Sequence, residues 1–441
     1  MGQDAAPGFA ATAVLSSAEK FLRSFRRPGL LLLAFSGGGD STVMLWAFAR
    51  LLRSGRFPGF VLHAATVDHG LRAGSAEEAQ AAAAFAASLG VPHTCLHWTG
   101  DKPATGIQAA AREVRYGLLH AEARRLGAVA VLTAHHADDQ TETITMRRAR
   151  GEGEGLSGMA SAVLLHSGTW MLRPFLELGR HAIRQALADE DLPWSEDPSN
   201  RNRRFERVRV REDEPAVDIG IGQAAQLREA SAVRQAEWLR HHVDVMAGSV
   251  AAVRPEGLDA IADDDGALAL FKLSGAIAGK AHLPPRRARD RVIAFLRSGE
   301  RGRMTLGGTV FDRRAAALYL HREARDLPVL VLRPGADGIW DGRYRFVNKS
   351  DAEVTIGPAD RNPDVPRHLV QSGIPEAIAR RAAQAQPLVA GAGKEHVLET
   401  RQIAAHARFL SGFELPVADC FVSLFGLSVL PPPPIALESQ G

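Results

Sequence analysis

Leu30-Leu31-Leu32-Leu33-Ala34-Phe35-Ser36-Gly37-Gly38-Gly39-Asp40-Ser41 sets an unbroken apolar run against three glycines flanked by serines. The apolar run reads as a strand buried on both faces. The stretch Thr42–Arg53 that follows reads as a helix. Working outward, the same alternation recurs as far as Phe175. Apolar runs at Phe60–Val67, Val91–Trp98 and Ala128–Thr133 alternate with helical stretches at Ala76–Leu89, Ile107–Leu126 and Asp139–Arg150, and Thr169–Leu172 offers a fifth strand. Strands alternating with helices predict an α/β fold, a doubly wound parallel sheet with helices on both faces. Ligands of such sheets bind beyond the carboxyl ends of the strands. Three polar clusters fall there: Ser36–Ser41, Asp68–Arg72 and His135–Glu142.

Beyond this sheet the pattern changes. Pro198–Arg211 is rich in arginine; Gln223–Ala247 and Pro285–Arg297 have helical spacing; short β-like runs return from Thr305 to Leu332; and Ile374–Gln386 reads as a helix. Pro431–Pro434 reads as the end of the ordered fold. The expected division is therefore 1–211, an α/β domain ending in an arginine-rich linker, 212–330, mainly helical, and 331–441, a small mixed α/β domain. The 441 residues are 46% hydrophobic and 23% charged, enough to bury a core. Only Cys95 and Cys420 occur, and no C-x-x-C, so an iron–sulfur cluster, a cysteine zinc site and a disulfide framework lack ligands. The expected compartment is the reducing cytoplasm, with no membrane association, since apolar runs fall short of the roughly 20 residues a span needs.

The strand–glycine–helix sequence is a phosphate device. Glycines let the backbone curl and turn its N–H groups inward, and the following helix adds its own free N–H groups and the positive end of its dipole. Ser36 and Ser41 can donate to phosphate oxygens. Asp40 would repel phosphate unless a cation stands between them, which points to Mg²⁺. Other nucleotide signatures fail on context. Gly153-Glu154-Gly155-Leu156-Ser157-Gly158 follows a helical stretch rather than a strand, and Gly279-Lys280 and Gly393-Lys394 lack the flanking residues of a P-loop.

Ser-Gly-Gly-x-Asp-Ser after a first strand resembles the PP-loop ATP pyrophosphatases, which split ATP to AMP and pyrophosphate. Val67-Asp68-His69-Gly70-Leu71-Arg72, Gln108–Tyr116 and Ala134-His135-His136-Ala137-Asp138-Asp139-Gln140-Thr141-Glu142-Thr143 narrow the resemblance to the tRNA(Ile)-lysidine synthetases. Trp194-Ser195-Glu196-Asp197-Pro198-Ser199-Asn200 extends it to about Arg211; Thr305–Gly308 and Trp340-Asp341-Gly342-Arg343 extend it more weakly. The resemblance implies an enzyme that uses ATP and Mg²⁺ to adenylate the wobble cytidine of a CAU-anticodon tRNA(Ile). The amine of free L-lysine then displaces AMP from C2. A sibling enzyme such as a tRNA thiolase is the alternative, although the thiocytidine branch normally uses paired C-x-x-C cysteines.

The expected roles follow. Ser36, Gly37, Gly38, Gly39, Asp40, Ser41, Asp68 and His135 bind ATP, with His136 competing for the last place, and Asp40 also holds Mg²⁺. Arg112 is the candidate partner of the transferring phosphate, with Arg115 and Arg72 as competitors. Asp139 and Glu142 stand three apart on a helix, so they share a face that can hold an amine and accept its proton; the resemblance assigns lysine to the same two positions. Arg201, Arg203, Arg204, Arg207, Arg209 and Arg211 are opposed only by Glu206, a density suited to RNA phosphates.

Overall fold

The structure is a computed structural model that describes residues 8–71, 74–149, 157–195, 210, 221–259, 261, 264–359, 369, 371 and 373–436. Its chain divides into two compact units, Met1–Arg228 with Pro431–Gly441, and Glu229–Leu430.

In the first unit, β1 (Leu30–Ala34), β2 (Val61–Asp68), β3 (His93–His97), β4 (Ala130–Leu132), β5 (Ala162–Leu165) and β6 (Thr169–Leu172) lie in the order β5-β6-β4-β1-β2-β3. All neighbouring pairs are parallel except β5 with β6. The chain steps from β1 to β2 to β3 on one side, then crosses to β4 and β6 on the other. The reversal falls between β1 and β4, where Leu31 pairs with Ala130. Loops leaving the carboxyl ends of those two strands face a common crevice.

Helices α1 (Phe9–Arg23), α2 (Gly39–Arg53), α3 (Ser75–Ser88), α4 (Ile107–Leu126), α5 (Ala137–Ala149) and α6 (Arg180–Asp189) complete the unit. Helix α2 is buried almost all round, from Val43 through Ala49, because α1 and α6 pack on it from outside the sheet. Helix α1 offers the stripe Val14, Ala18 and Leu22 at i, i+4 spacing, and its Phe21 ring meets Phe48 of α2 edge-on at 6.1 Å. On the opposite face, Tyr116, Leu119 and Ala123 of α4 pack with Leu32, Val131 and Met171. The proline run does not end the fold. Arg26 N–H donates to Pro434 O and Ala436 N–H to Ser24 O, both at 2.8 Å, Trp170 Nε1 donates to Pro431 O at 3.0 Å, and Ile435 is buried.

The second unit holds an antiparallel sheet ordered β7-β8-β11-β10-β9: β7 (Val243–Met246), β8 (Val250–Val253), β9 (Gly302–Leu306), β10 (Thr309–Arg313) and β11 (Leu318–Arg322). The helix expected over Gln223–Ala247 ends at His242 and gives way to β7. Strand β11 is buried on both faces: Leu318 and Leu320 pack with Leu270 and Phe271 of the helix Asp264–Ala278, while Tyr319 packs with Ile378 and Ala382 of the helix Glu376–Gln384. Two three-stranded sheets follow around Trp340, Phe346, Val354 and Ile356: one orders Leu330–Leu332, Val354–Pro358 and Pro387–Ala390, the other Asp337–Trp340, Tyr344–Asn348 and Val397–Arg401. The segments Trp340–Arg343 and Gly307-Gly308 belong to one buried lock. Asp341 accepts from Arg322 through two bonds of 3.0 and 2.9 Å and from Arg343 Nε at 2.7 Å, and Arg322 also donates to Gly308 O. A Cβ on Gly279 would stand 1.9 Å from Asp341 O, so only glycine lets these backbones meet. Among the described residues, no helix is long and apolar enough to cross a membrane.

Candidate active site

The loop after β1 is a small hydrogen-bonded ring. Gly37 has φ +77°, which turns the chain back on itself. The Ser36 N–H donates to Ser41 Oγ at 3.2 Å, and the Ser41 hydroxyl donates to Gly38 O at 2.9 Å. Ser41 is buried and braces the ring from inside. Ser36 is exposed, with its Oγ 3.1 Å from that of Ser41, so its hydroxyl stands on the open side. Helix α2 begins at Gly39, and Asp40 lies in its first turn. The expected loop therefore runs directly into helix N–H groups, the arrangement that favours an anion.

A support missing from the expected set is the segment before the arginine run. Ser195 N–H donates to Gly37 O at 2.9 Å. A Cβ on Gly39 would meet Leu187 of α6 at 2.8 Å and the Trp194 ring at 3.6 Å, so glycine at 39 lets α6 and Trp194 close on the loop.

The loop after β4 brings the acidic groups. His135 and His136 lie between β4 and α5 and diverge. His135 Nδ1 is 3.0 Å from Thr133 Oγ1 and accepts from Arg173 Nε at 3.3 Å. Arg173 is buried, which pulls its guanidinium pKa down to about 10. His136, 1% exposed, faces the phosphate loop instead: its Nε2 is 3.7 Å from Asp40 Oδ2 and 3.6 Å from Asp139 Oδ2, and its Nδ1 is 3.6 Å from Asp138 Oδ2. Asp139 also accepts the His136 N–H at 3.1 Å. Asp138 accepts the Arg180 N–H at 2.7 Å and so caps α6. Glu142, one turn along α5, is ion-paired with Arg180 at 2.6 Å, the two side chains 6% and 18% exposed. The interlock of α5 with α6 thus fixes the orientation of Glu142, while His136 holds that of Asp139. A sequence signal for it existed only in Gly179-Arg180 opening a helical pattern.

At the end of β2, Asp68 Oδ1 accepts the Gly70 N–H at 2.8 Å, and this bond, foremost, holds its carboxyl below the usual carboxylate range. Arg112 is exposed on α4, its guanidinium 5.0 Å from the centre of the Tyr116 ring. Arg72, Arg201, Arg203, Arg204, Arg207, Arg209 and Arg211 lie outside the described residues. So does most of Gly153–Gly158.

The donor chemistry fits magnesium. Asp40 presents a carboxylate 47% exposed at the rim of the phosphate loop. Mg²⁺ is commonly held by one or two carboxylates, with phosphate and water oxygens completing its shell. Among the described residues, no group of three or more His, Cys, Asp or Glu is set to hold a metal by itself.

A glycine-turned loop closing onto a helix N-terminus at the β1/β4 reversal, with a carboxylate at its rim, defines a nucleotide-binding PP-loop domain, and that family's profile matches residues 11–214. Similarity to named relatives runs nearly the length of the chain. It is 41% identical to a tRNA(Ile)-lysidine synthase of Rhizobium meliloti (strain 1021), over 96% of this chain and 97% of that one. The Mesorhizobium japonicum enzyme of the same name is 37% identical over 92% and 94%, and that of Brucella ovis 36% over 76% and 78%. The chain belongs to the tRNA(Ile)-lysidine synthase family.

Proposed function

We propose that the protein ligates free L-lysine to C2 of the wobble cytidine in a CAU-anticodon tRNA(Ile), consuming ATP through an adenylated cytidine. One observation supports this reading above the others: Asp40 and Asp139 both approach Nε2 of His136, within 3.7 and 3.6 Å. A carboxylate of the phosphate site and one of the amine site thus share a single buried imidazole. An amine held at Asp139 and Glu142 stands beside a phosphate held on the Ser36–Ser41 loop, the proximity that attack on an adenylated carbon requires.

In the first step the cytidine O2 attacks the α-phosphorus of ATP, the α–β P–O bond breaks, and pyrophosphate leaves. The loop N–H groups and Arg112 bind the phosphates and offset charge on the leaving group. Bound at Asp40, Mg²⁺ supplies Lewis-acid neutralisation of the same charge. In the second step the lysine nitrogen attacks C2, the C2–O bond to AMP breaks, and AMP leaves with that oxygen. Asp139 or Glu142 takes the proton the nitrogen loses. His136 holds the two carboxylates in register. The arginines from Arg201 to Arg209 bind the tRNA backbone.

The test is incorporation of labelled lysine into a CAU-anticodon tRNA(Ile) transcript with ATP and Mg²⁺, expected for the native chain and lost in Asp40→Ala. ATP–pyrophosphate exchange that responds to a sulfur donor and not to lysine would overturn the proposal.

A further inference from the structure

Beyond the carboxyl ends of β2 and β3 stands a group of side chains that the two steps above leave unused. Trp98 follows β3 and is anchored by its N–H, which donates to Asp68 O at 2.9 Å. The His69 ring meets it edge-on, 6.0 Å between centres and 86° between planes. Lys102 Nζ lies 5.8 Å from the centre of the Trp98 ring and donates to Gly70 O at 2.7 Å. From α4, Arg115 reaches His69 Nε2 at 3.4 Å.

Cations predominate here: the carboxylate within reach of His69, Asp68, is turned to the Gly70 N–H and His97. Lys102, Arg112 and Arg115 are exposed. Among the described residues none of the three has a carboxylate partner, although acids pair with basic groups elsewhere in this unit. Burial, followed by the charge of Arg115, holds the His69 imidazole below its ordinary pKa, so it serves as a neutral ring rather than a fourth cation. Position matters as much as charge. Strand β2 pairs directly with β1, so the group borders the phosphate loop, and Arg112 lies within electrostatic reach of both Arg115 and the buried Arg173. Cations without a carboxylate partner beside a half-buried indole complement the two parts of a nucleotide: phosphate meets the cations, and a base meets the ring.

We propose that Trp98, Lys102 and Arg115, with His69 behind the indole, hold an RNA nucleotide adjacent to the one being modified. Its base stacks on Trp98 and its phosphate lies between Lys102 and Arg115. The inference rests on the reading that the substrate is a tRNA, and it assigns that RNA a contact separate from the arginines after Pro198.

The test uses the full-length protein and a CAU anticodon stem-loop RNA, with affinity read by fluorescence anisotropy across a salt series. Trp98→Ala should weaken binding by about 5- to 150-fold, the range for loss of one base–aromatic stack. Trp98→Phe, which keeps an aromatic face, should restore most of it. Lys102→Gln with Arg115→Gln should lower the slope of log affinity against log salt by about 1, for the one phosphate held between them. ATP affinity by calorimetry reports separately on the phosphate loop. Should Trp98→Ala fail to fold, Trp98→Phe and the double variant still decide the matter. Folded variants that bind ATP and keep the native RNA affinity and salt slope would overturn the proposal. Lysine transfer with Trp98-independent RNA binding defeats this site and leaves the proposed reaction standing. Trp98-dependent RNA binding without lysine transfer does the reverse.

Discussion

Replacing Glu142 by Gln keeps the side-chain shape and removes one charge from an almost enclosed pair. Arg180 Nη2 sits 2.6 Å from Glu142 Oε1, with the side chains 18% and 6% exposed. A hydrogen bond to a charged group contributes about 1.5–3 kcal/mol. If Glu142 holds the lysine amine, losing that interaction raises the KM for lysine by about 10- to 150-fold. Stability suffers as well, because Arg180 loses its counter-charge, and removing one partner of a buried pair costs up to about 3–5 kcal/mol. The two effects separate in a cycle. Arg180→Met alone takes the 2.6 Å counter-charge from the carboxylate and destabilises; Glu142→Gln with Arg180→Met recovers much of the stability, since the buried charge goes with its partner, but not the lysine KM. Steady-state kinetics at saturating ATP and tRNA, together with urea unfolding of each variant, read both quantities. A lysine KM unchanged in Glu142→Gln, or restored in the double variant, would refute the assignment of Glu142 to lysine and leave it a purely structural partner of α6.

Other expectations are more local. Gly37→Ala finds open space, its Cβ 3.9 Å from Ala82, so its cost is the backbone strain of φ +77°, about 1–2 kcal/mol, read as weaker ATP binding in calorimetry. Asp341→Ala strands Arg322 and Arg343 in the buried lock; a loss of about 3–5 kcal/mol is expected from urea unfolding, without a change in ATP affinity. His406, stacked on Phe421 at 5.8 Å, has its pKa pushed down to about 4 by burial. Its folded pKa lies below the unfolded value near 6.5, so the stabilisation is present above that pH and lost as pH falls towards 4. His406→Phe should therefore remove about 1–3 kcal/mol of acid sensitivity between pH 7 and 4.5. Charge reversal at Arg204 and Arg207 should weaken tRNA binding and flatten its salt dependence; unchanged affinity would exclude them from the RNA footprint.

The centre of the sheet was legible because β1 and β4 are continuous apolar runs, the signature of burial on both faces, while β2 and β3 towards the edge mix His and Thr into theirs. Strand β5 was missed despite being wholly buried. Its hairpin turns at His166 and Ser167, with φ 47° and 55°, whereas sequence reading looks for Asn-Gly at such a turn. The strands β7 and β8 were also hidden, since Val243–Met246 continues a helical spacing and the turn between them is only Ala247 and Gly248, with φ 49° and 61°. At the site, the phosphate loop and the shared face of Asp139 and Glu142 followed from spacing alone. What spacing could not show was which histidine faces the loop. His135 and His136 are neighbours in the chain, and only Thr133 and Arg173 on one side, and Asp40 on the other, divide them. Arg180 and Ser195 escaped because their partners lie 38 and 158 residues away, as Glu142 and Gly37.

The hydrogen bonds of Pro431, Pro434 and Ala436 to Trp170, Arg26 and Ser24 have a consequence for how the protein is made. The first unit is discontinuous in the gene, with the whole of Glu229–Leu430 inserted before its last strand-like segment. At about 5–20 residues per second, the ribosome takes roughly 10–40 s to translate that insert. Throughout that interval Trp170 Nε1 and the backbone at Ser24 and Arg26 must wait for partners not yet synthesised. The nascent catalytic unit thus emerges early but is sealed last, so a ribosome that stalls within the insert leaves a nucleotide-binding fold with an open seam.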